Sequence, residues 1–196
     1  MRLLEIHRAY EGNFISTYVL KYLTDKGIKR YEMNSRQGTR HFGGELTPET
    51  LGNSATTSIT LICFNKSSDK VLILTEFRLG VNKFVHNFVT GFIDEGETIE
   101  QAAARELKEE TDLDLISIDE ALPPDYICAP ICDDKTSLVV CTADGIPKHI
   151  VDSSEDTNPM WVDKHKAKEI LRDGKFSCSG RVSTFLYTWA VLGNKR

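Results

Sequence analysis

Residues 91–110 read GFIDEGETIEQAAARELKEE, a turn followed by a run of strong helix formers. The turn is predicted at residues 94–96, where Asp, Glu and Gly follow one another. Thr98 stands where a helix N-cap is expected, and Gln101 follows at the spacing of a capping box. We therefore expect a helix over residues 98–111.

The predicted helix carries acidic side chains along its apolar stripe. At about 100° per residue, with Ile99 taken as zero, Ala103 falls at about 40° and Leu107 at about 80°. By the same count Glu106 lies at about −20° and Glu110 at about +20°, one helical turn apart. The outer side carries Gln101, Arg105 and Lys108. Two carboxylates are therefore expected to point inward.

This arrangement of carboxylates indicates a bound cation. Amphipathic helices ordinarily place charge opposite the apolar face, and like charges one turn apart repel each other. Inward carboxylates need compensation, and Mg²⁺ provides it with one or two carboxylates and substrate phosphates as ligands. We expect Mg²⁺ here, with Mn²⁺ as the alternative ion. The competing interpretation is an ordinary solvated helix rich in glutamate.

The same residues resemble the signature of the Nudix family, G-x5-E-x7-R-E-U-x-E-E-x-G-U, in which U is a bulky aliphatic residue. The matching residues are Gly91, Glu97, Arg105, Glu106, Leu107, Glu109, Glu110 and Leu113. Asp112 stands where the pattern has glycine. That glycine ends the helix, and aspartate also tolerates the left-handed backbone conformation, so we expect a small conformational cost.

The resemblance implies metal ligands. Glu106 and Glu110 would be the principal ligands, and Glu109 would be a further ligand or a tuning, catalytic carboxylate. The backbone carbonyl of Thr90 corresponds to a ligand position in relatives.

Three more residues belong to the site that the resemblance implies. Glu97 would act in catalysis through water or as the partner of Arg105. Arg105 is also assigned to the catalytic residues. Gly91, at the start of the signature, is assigned to substrate binding.

Beyond the signature, the chain resembles the ADP-ribose pyrophosphatase branch of the family. Relatives carry a Glu/Gln-aromatic-Arg element on the preceding strand, and here residues 76–78 read Glu-Phe-Arg. Arg78 is therefore expected to contact the diphosphate through its planar fork of donors. The alternative is an arginine in a surface ion pair.

An N-terminal hairpin in these relatives supplies an aromatic residue that stacks on the base and an arginine five residues later. Tyr31 and Arg36 match that spacing. Both are assigned to substrate binding, with a tyrosine in a hydrophobic patch of a strand as the alternative for Tyr31.

Relatives also have a loop after the signature, Ser-Pro-Gly-x-Ser-Asp-Glu, whose glutamate positions or deprotonates the attacking water. Residues 129–135 here read Ala-Pro-Ile-Cys-Asp-Asp-Lys, without the glycine. Asp134 is the candidate base and Asp133 the second choice. The shorter side chain requires the loop to come closer, because a base must lie within hydrogen-bond reach.

Strand and helix patterns alternate along the chain, which favours an α/β fold. Strands are predicted over residues 14–22, 28–34, 58–64, 70–77, 84–89, 113–118 and 138–141, and further helices over 163–172 and 182–192. The resemblance implies a Nudix α/β/α sandwich with a mixed sheet, preceded by an N-terminal antiparallel β hairpin region. Residues 1–54 are expected to form that region, used for dimerisation and base stacking, and residues 55–196 the Nudix hydrolase domain.

Composition limits the other classes of function. The net charge of −5 argues against sequence-independent binding of nucleic acid, which needs a basic surface. The five cysteines form no paired CxxC pattern and indicate reduced thiols. No signal peptide or membrane span is recognised, so a cytoplasmic protein without membrane partners is expected.

The function that the resemblance implies is Mg²⁺-dependent hydrolysis of the diphosphate bond of a nucleoside diphosphate sugar. For ADP-ribose the products would be AMP and ribose 5-phosphate, and a homodimer is implied. The alternatives are a Nudix pyrophosphatase acting on a nucleoside triphosphate, a dinucleotide or another nucleotide sugar, and a catalytically weak Nudix ligand-binding sensor. Retention of every signature carboxylate favours an enzyme.

Overall fold

The structure, a computed structural model, describes residues 1–53, 57–151 and 156–193. The strands are β1 (Arg2–Tyr10), β2 (Ser16–Thr24), β3 (Gly27–Ser35), β4 (Thr57–Asn65), β5 (Lys70–Arg78), β6 (Lys83–Asn87), β7 (Val89–Phe92), β8 (Asp114–Ala121), β9 (Asp125–Tyr126), β10 (Lys135–Asp144), β11 (Ile150–Val151), β12 (Asp156–Asp163) and β13 (Ser177–Cys178). The helices are α1 (Ile99–Thr111), α2 (Lys164–Asp173) and α3 (Gly180–Tyr187). The predicted domain boundary between residues 54 and 55 lies outside the described residues.

The chain divides into two compact units, and the first comprises residues 1–58 and 123–137. Its strands β2 and β3 form the antiparallel hairpin that the sequence predicts, with Gly27 at φ 104° after the turn. Strand β1 pairs antiparallel with β2 and makes a three-stranded sheet. The prediction missed β1 because its side chains are mostly exposed and show no two-residue alternation.

The second unit, residues 59–122 and 138–196, is built on a sheet with the strand order β11-β12-β5-β4-β10-β8. Pairing is antiparallel between β12 and β5 but parallel between β13 and β6, so the sheet is mixed. Side chains of β5 alternate between two apolar clusters: Leu72 and Leu74 face one, Val71 and Ile73 the other. Helix α1 packs in the first cluster and α2 and α3 in the second, which confirms the α/β/α sandwich.

Several predicted elements have different bounds in the structure. The single strand predicted over residues 84–89 is two strands, β6 and β7, which are separated at the buried Phe88. Helix α3 begins at Gly180, and its continuation Thr188–Leu192 is a π-helical turn. Strand β12 was not predicted, and it contains Pro159, a residue that normally argues against a central strand.

Two other expectations concern the whole chain. All five cysteines lie within the described residues and are free thiols, as their spacing predicts. No helix in the part of the chain that the structure describes is long and apolar enough to span a membrane.

Candidate active site

Helix α1 begins as the sequence predicts. The Thr98 hydroxyl accepts a hydrogen bond from the Gln101 backbone N–H (3.3 Å), and the Thr98 N–H donates to the Gln101 side-chain oxygen (2.9 Å). These two bonds form the capping box. Gly96 has φ 80° in the preceding turn, a conformation that glycine adopts without steric cost. The start of the acidic helix is therefore determined locally.

The face of α1 that packs on the sheet carries one of the two key carboxylates. Ala102, Ala103 and Leu107 of this face are fully buried in the first apolar cluster. Glu110 is also buried, at 6% exposure, which confirms the inward direction predicted from the helical wheel. An acidic side chain among apolar neighbours is costly unless its charge is compensated.

The second carboxylate, that of Glu106, lies directly against the backbone of Gly91 in strand β7. A Cβ atom built on Gly91 would overlap the carboxylate carbon and both oxygens of Glu106. Gly91 has no positive φ, so its role is to leave space and not to adopt a special backbone conformation. Because Gly91 has no side chain, the Glu106 carboxylate can occupy this space, which we call the cradle at Gly91. The residue before Gly91 is Thr90, whose carbonyl the resemblance assigns as a ligand.

Arg105 ties the acidic side chains of the signature together. Its Nε and one terminal nitrogen donate to the two oxygens of Glu97, at 2.9 Å each. Its other terminal nitrogen donates to Glu106 (2.7 Å) and Glu109 (3.2 Å). The Phe92 carbonyl accepts a further bond from the guanidinium at 2.8 Å. The predicted pairing of Glu97 with Arg105 is confirmed, and the contact with the Phe92 carbonyl is one that no sequence pattern signalled.

Arg105 and Glu97 hold each other in the ionised form. The hydrogen bonds from Arg105 lower the pKa of Glu97 to about 2, and the Asp94 backbone N–H adds to the effect. The hydrogen bonds to Glu97 raise the pKa of Arg105 above its usual value. Glu97 is therefore an anionic anchor for Arg105 throughout the physiological pH range, and Arg105 in turn orients Glu106.

Glu109 differs from the other signature carboxylates in its exposure. Its side chain is 60% exposed, whereas that of Glu106 is 13% exposed. Its pairing with Arg105 is an i,i+4 contact on the outside of α1. Glu109 is therefore on the solvent side of the helix, while Glu106 and Glu110 are largely shielded from solvent.

Arg78, at the end of β5, lies beside the start of the signature. Its Nε donates to Glu76 at 2.7 Å, and one terminal nitrogen lies 3.4 Å from the Thr90 hydroxyl. Glu76 is buried and also accepts a hydrogen bond from Asn87 at 2.8 Å. The Nε of Arg78 is thus held by a buried carboxylate, and the arginine side chain is 46% exposed. Its binding role stays a prediction. Asn87 was not predicted, although its position on β6 opposite β5 gives it this supporting contact.

The end of α1 shows how the departure from the family pattern is accommodated. Asp112 is in the left-handed conformation, with φ 58°, and caps the helix as the expected glycine would. Its carboxylate pairs with Lys148 and with Lys108, and the hydrogen bonds from these two lysines lower the pKa of Asp112 to about 2. The left-handed conformation expected of aspartate at this position is confirmed, and its small conformational cost stays a prediction.

The donor set of this site suits a hard divalent cation. Carboxylate and backbone oxygens are the ligands that Mg²⁺ prefers, and Gly91 leaves the space that the Glu106 carboxylate occupies. Within residues 1–53, 57–151 and 156–193, no three His, Cys, Asp or Glu side chains are grouped closely enough to hold a metal ion alone. Mg²⁺ often keeps several waters and takes only one or two protein carboxylates, so the residues present fit an ion shared with a phosphate substrate.

The remaining predicted residues lie together in the first unit. The Tyr31 hydroxyl donates to the Pro130 carbonyl (2.5 Å), and Arg36 Nε donates to Asp134 Oδ2 (3.2 Å). Asp133 is buried at 4% exposure, and this burial raises its pKa above the usual value. The predicted site residues therefore form two groups, one in each compact unit.

A mixed sheet packed on both faces, with an acidic helix on one of them whose Glu106 carboxylate lies against Gly91 of a neighbouring strand, is the arrangement that the signature predicts. The family model described as NUDIX domain matches residues 55–178, and the chain belongs to the Nudix family.

Individual relatives agree with this membership. Nudix hydrolase 2 of Caenorhabditis elegans is 32% identical over 102 residues, which cover 52% of this chain and 43% of that protein. The match therefore spans less than half the length of this curated relative. A solved structure titled "Crystal structure of ADP compounds hydrolase" has a TM-score of 0.70, covers 99% of this chain and 95% of its own, and is 18% identical. That likeness confirms the predicted fold.

Proposed function

We propose that the protein is a Mg²⁺-dependent Nudix pyrophosphatase that cleaves the diphosphate bond of a nucleoside diphosphate sugar. ADP-ribose is the substrate we favour, with AMP and ribose 5-phosphate as products. The observation that carries the proposal is the pair of inward carboxylates, Glu106 in its cradle at Gly91 and Glu110 buried one turn later. The fold shared with a protein titled ADP compounds hydrolase supports testing ADP compounds first.

The surroundings of each residue indicate its role in metal binding or in orienting a metal ligand. Glu106, Glu110 and the Thr90 carbonyl would hold Mg²⁺, which when bound neutralises charge on the diphosphate. Arg105 keeps Glu106 oriented through its 2.7 Å hydrogen bond. Glu109, on the outer side of α1, acts as a tuning carboxylate or a ligand that approaches from solvent.

Arg78 is proposed to bind the diphosphate. Its Nε is held by Glu76, and its side chain is 46% exposed. A guanidinium anchored at one edge can present its remaining donors to two phosphate oxygens in a fork. The alternative of a simple surface ion pair is less favoured, because the partner Glu76 is buried and a terminal nitrogen is directed to Thr90.

Asp134 is proposed as the general base that takes a proton from the attacking water. Its side chain is 18% exposed, whereas Asp133 as a residue is only 4% exposed. A base must reach the proton that it removes, so the more accessible carboxylate is the better candidate. Asp133 is instead a buried group of the same loop.

The test is a panel of ADP-ribose, another nucleotide sugar, a nucleoside triphosphate and a dinucleotide, each with Mg²⁺ and with chelator, followed by mass spectrometry of the products. Glu110→Gln should lower turnover by about 10²-fold or more with the fold retained. The matched control is Glu95→Gln, an exposed residue at a variable position of the same signature. Full activity in Glu110→Gln, or wild-type activity in chelator, would overturn the proposal.

The assignment of residues 1–54 to dimerisation and of residues 55–196 to catalysis remains a prediction. It is compatible with the exposed apolar side chains on the N-terminal sheet, such as Leu4, Leu23 and Ile28.

A further inference from the structure

The loop that carries Asp134 is attached to strand β3 of the N-terminal sheet. We propose that Tyr31 and Arg36 are positioning residues that hold this loop, residues 127–134, and orient Asp134, and that they do not act by contacting substrate. The catalytic part of this inference rests on the proposed function, because it takes Asp134 as the base. The attachment itself is independent of any substrate.

Two hydrogen bonds connect the tip of the loop with β3. The backbone N–H of Asn34 donates to the Ile131 carbonyl at 2.8 Å, and the Tyr31 hydroxyl donates to the Pro130 carbonyl. The tip is itself a closed turn, since the N–H groups of Ile131 and Cys132 both donate to the Cys128 carbonyl. Strand β3 therefore holds two adjacent residues of a compact turn, which fixes the position of the turn relative to the strand.

Arg36 adds a charged contact at the end of the loop. Its Nε donates to Asp134 Oδ2 at 3.2 Å, and its guanidinium carbon lies 5.6 Å from the centre of the Phe42 ring. The side chains of Arg36 and Asp134 are 23% and 18% exposed, so the pair is partly shielded from water. An arginine placed between an aromatic ring and a carboxylate is oriented by both.

The pairing engages one oxygen of Asp134 and leaves the other without a hydrogen bond among the described residues. Oδ2 is engaged by Arg36, whereas Oδ1 is buried and accepts no hydrogen bond from the part of the chain that the structure describes. Holding one oxygen of a carboxylate determines the direction of the other. Asp134 is one methylene shorter than the glutamate found in relatives, so its direction and position matter more. Misplacement of a reacting group by about 1 Å can lower the rate about 10²-fold.

Tyr31→Phe removes one oxygen atom and so distinguishes holding the loop from stacking on a base. Phenylalanine keeps the aromatic face for stacking on a base but loses the hydroxyl that holds Pro130. Arg36→Met removes the contact with Asp134, and Arg36→Lys keeps the charge without the planar fork. The matched controls are Tyr10→Phe, at a residue of β1 that is 65% exposed, and Arg30→Met on the exposed part of β3.

The experiment combines hydrogen–deuterium exchange of residues 127–134 with steady-state kinetics on ADP-ribose and Mg²⁺. We expect faster exchange in this loop for Tyr31→Phe and Arg36→Met, with kcat reduced about 10- to 100-fold and KM changed less than about threefold. Arg36→Lys should have a kcat between that of Arg36→Met and that of wild type. The controls should match wild type in both measurements.

Unchanged exchange together with a raised KM would overturn the inference and return Tyr31 and Arg36 to substrate binding. Unchanged exchange and unchanged kinetics would overturn it as well. If wild type cleaves no compound of the panel, the proposed function fails, but the exchange comparison still decides whether the two residues hold the loop.

Discussion

Replacing Gly91 by alanine tests how closely the carboxylate of Glu106 must be placed. The added methyl group would occupy the space of the Glu106 carboxylate, so that carboxylate must move aside. The backbone at Gly91 has no positive φ, which means that alanine can adopt it without strain. The perturbation is therefore directed at one side chain of the site.

The expected magnitudes for stability and for activity are very different. Gly→Ala at a compatible backbone position stabilises by about 0.4–1 kcal/mol, while loss of the partly exposed pair between Glu106 and Arg105 costs about 0.2–1 kcal/mol. These effects oppose each other, so the free energy of unfolding should change by less than about 1 kcal/mol. A shift of the carboxylate by about 1 Å should lower kcat/KM about 10²-fold, or about 2.7 kcal/mol in transition-state stabilisation.

Urea unfolding and steady-state hydrolysis of ADP-ribose at several Mg²⁺ concentrations measure the two quantities. Gly180→Ala is the matched control, because a Cβ at Gly180 meets no atom within 4 Å and its backbone has no positive φ. That control should keep wild-type activity. If Gly91→Ala retained kcat/KM within about threefold of wild type, close placement of Glu106 against β7 would not be needed for catalysis, and the reasoning would fail.

Two further predictions concern α1 and its anchor. Because Arg105 lowers the pKa of Glu97 from 4.5 to about 2, the stabilising contribution of the Glu97 carboxylate is complete above about pH 4.5 and is lost as the pH falls toward 2. Thermal unfolding across this range should show Glu97→Gln less stable than wild type at neutral pH and equal to it near pH 2; a constant difference would contradict the assignment. Thr98→Ala removes the capping hydroxyl and should cost about 1 kcal/mol in urea unfolding, whereas Thr98→Ser should cost much less; equal losses in the two variants would show that the cap does not contribute.

The local part of the site was accessible from the sequence. The capping box at Thr98, the inward direction of Glu110 and the left-handed cap at Asp112 each depend on residues within about one or two turns of a helix. Helical periodicity and residue-specific backbone preferences act over this distance. The sandwich followed from the alternation of strand and helix patterns and from the family resemblance.

Contacts between residues distant in sequence were not accessible. Arg36 and Asp134 are 98 positions apart, and no periodicity connects them. Strand β1 is an exposed edge strand, so its side chains carry no burial pattern to recognise. Strand β12 contains Pro159 opposite Leu74, where tertiary pairing overrides the usual preference of proline. In each case the deciding interaction lies outside the segment itself.

The aspartate at position 112 has a consequence for how the family signature is searched. The position requires a backbone angle, φ 58°, and any residue that reaches it and finds partners can replace glycine. Here Lys108 and Lys148 supply those partners. A pattern that demands glycine by identity will therefore pass over chains like this one, whereas a pattern written as left-handed geometry, admitting aspartate and asparagine, will retain them.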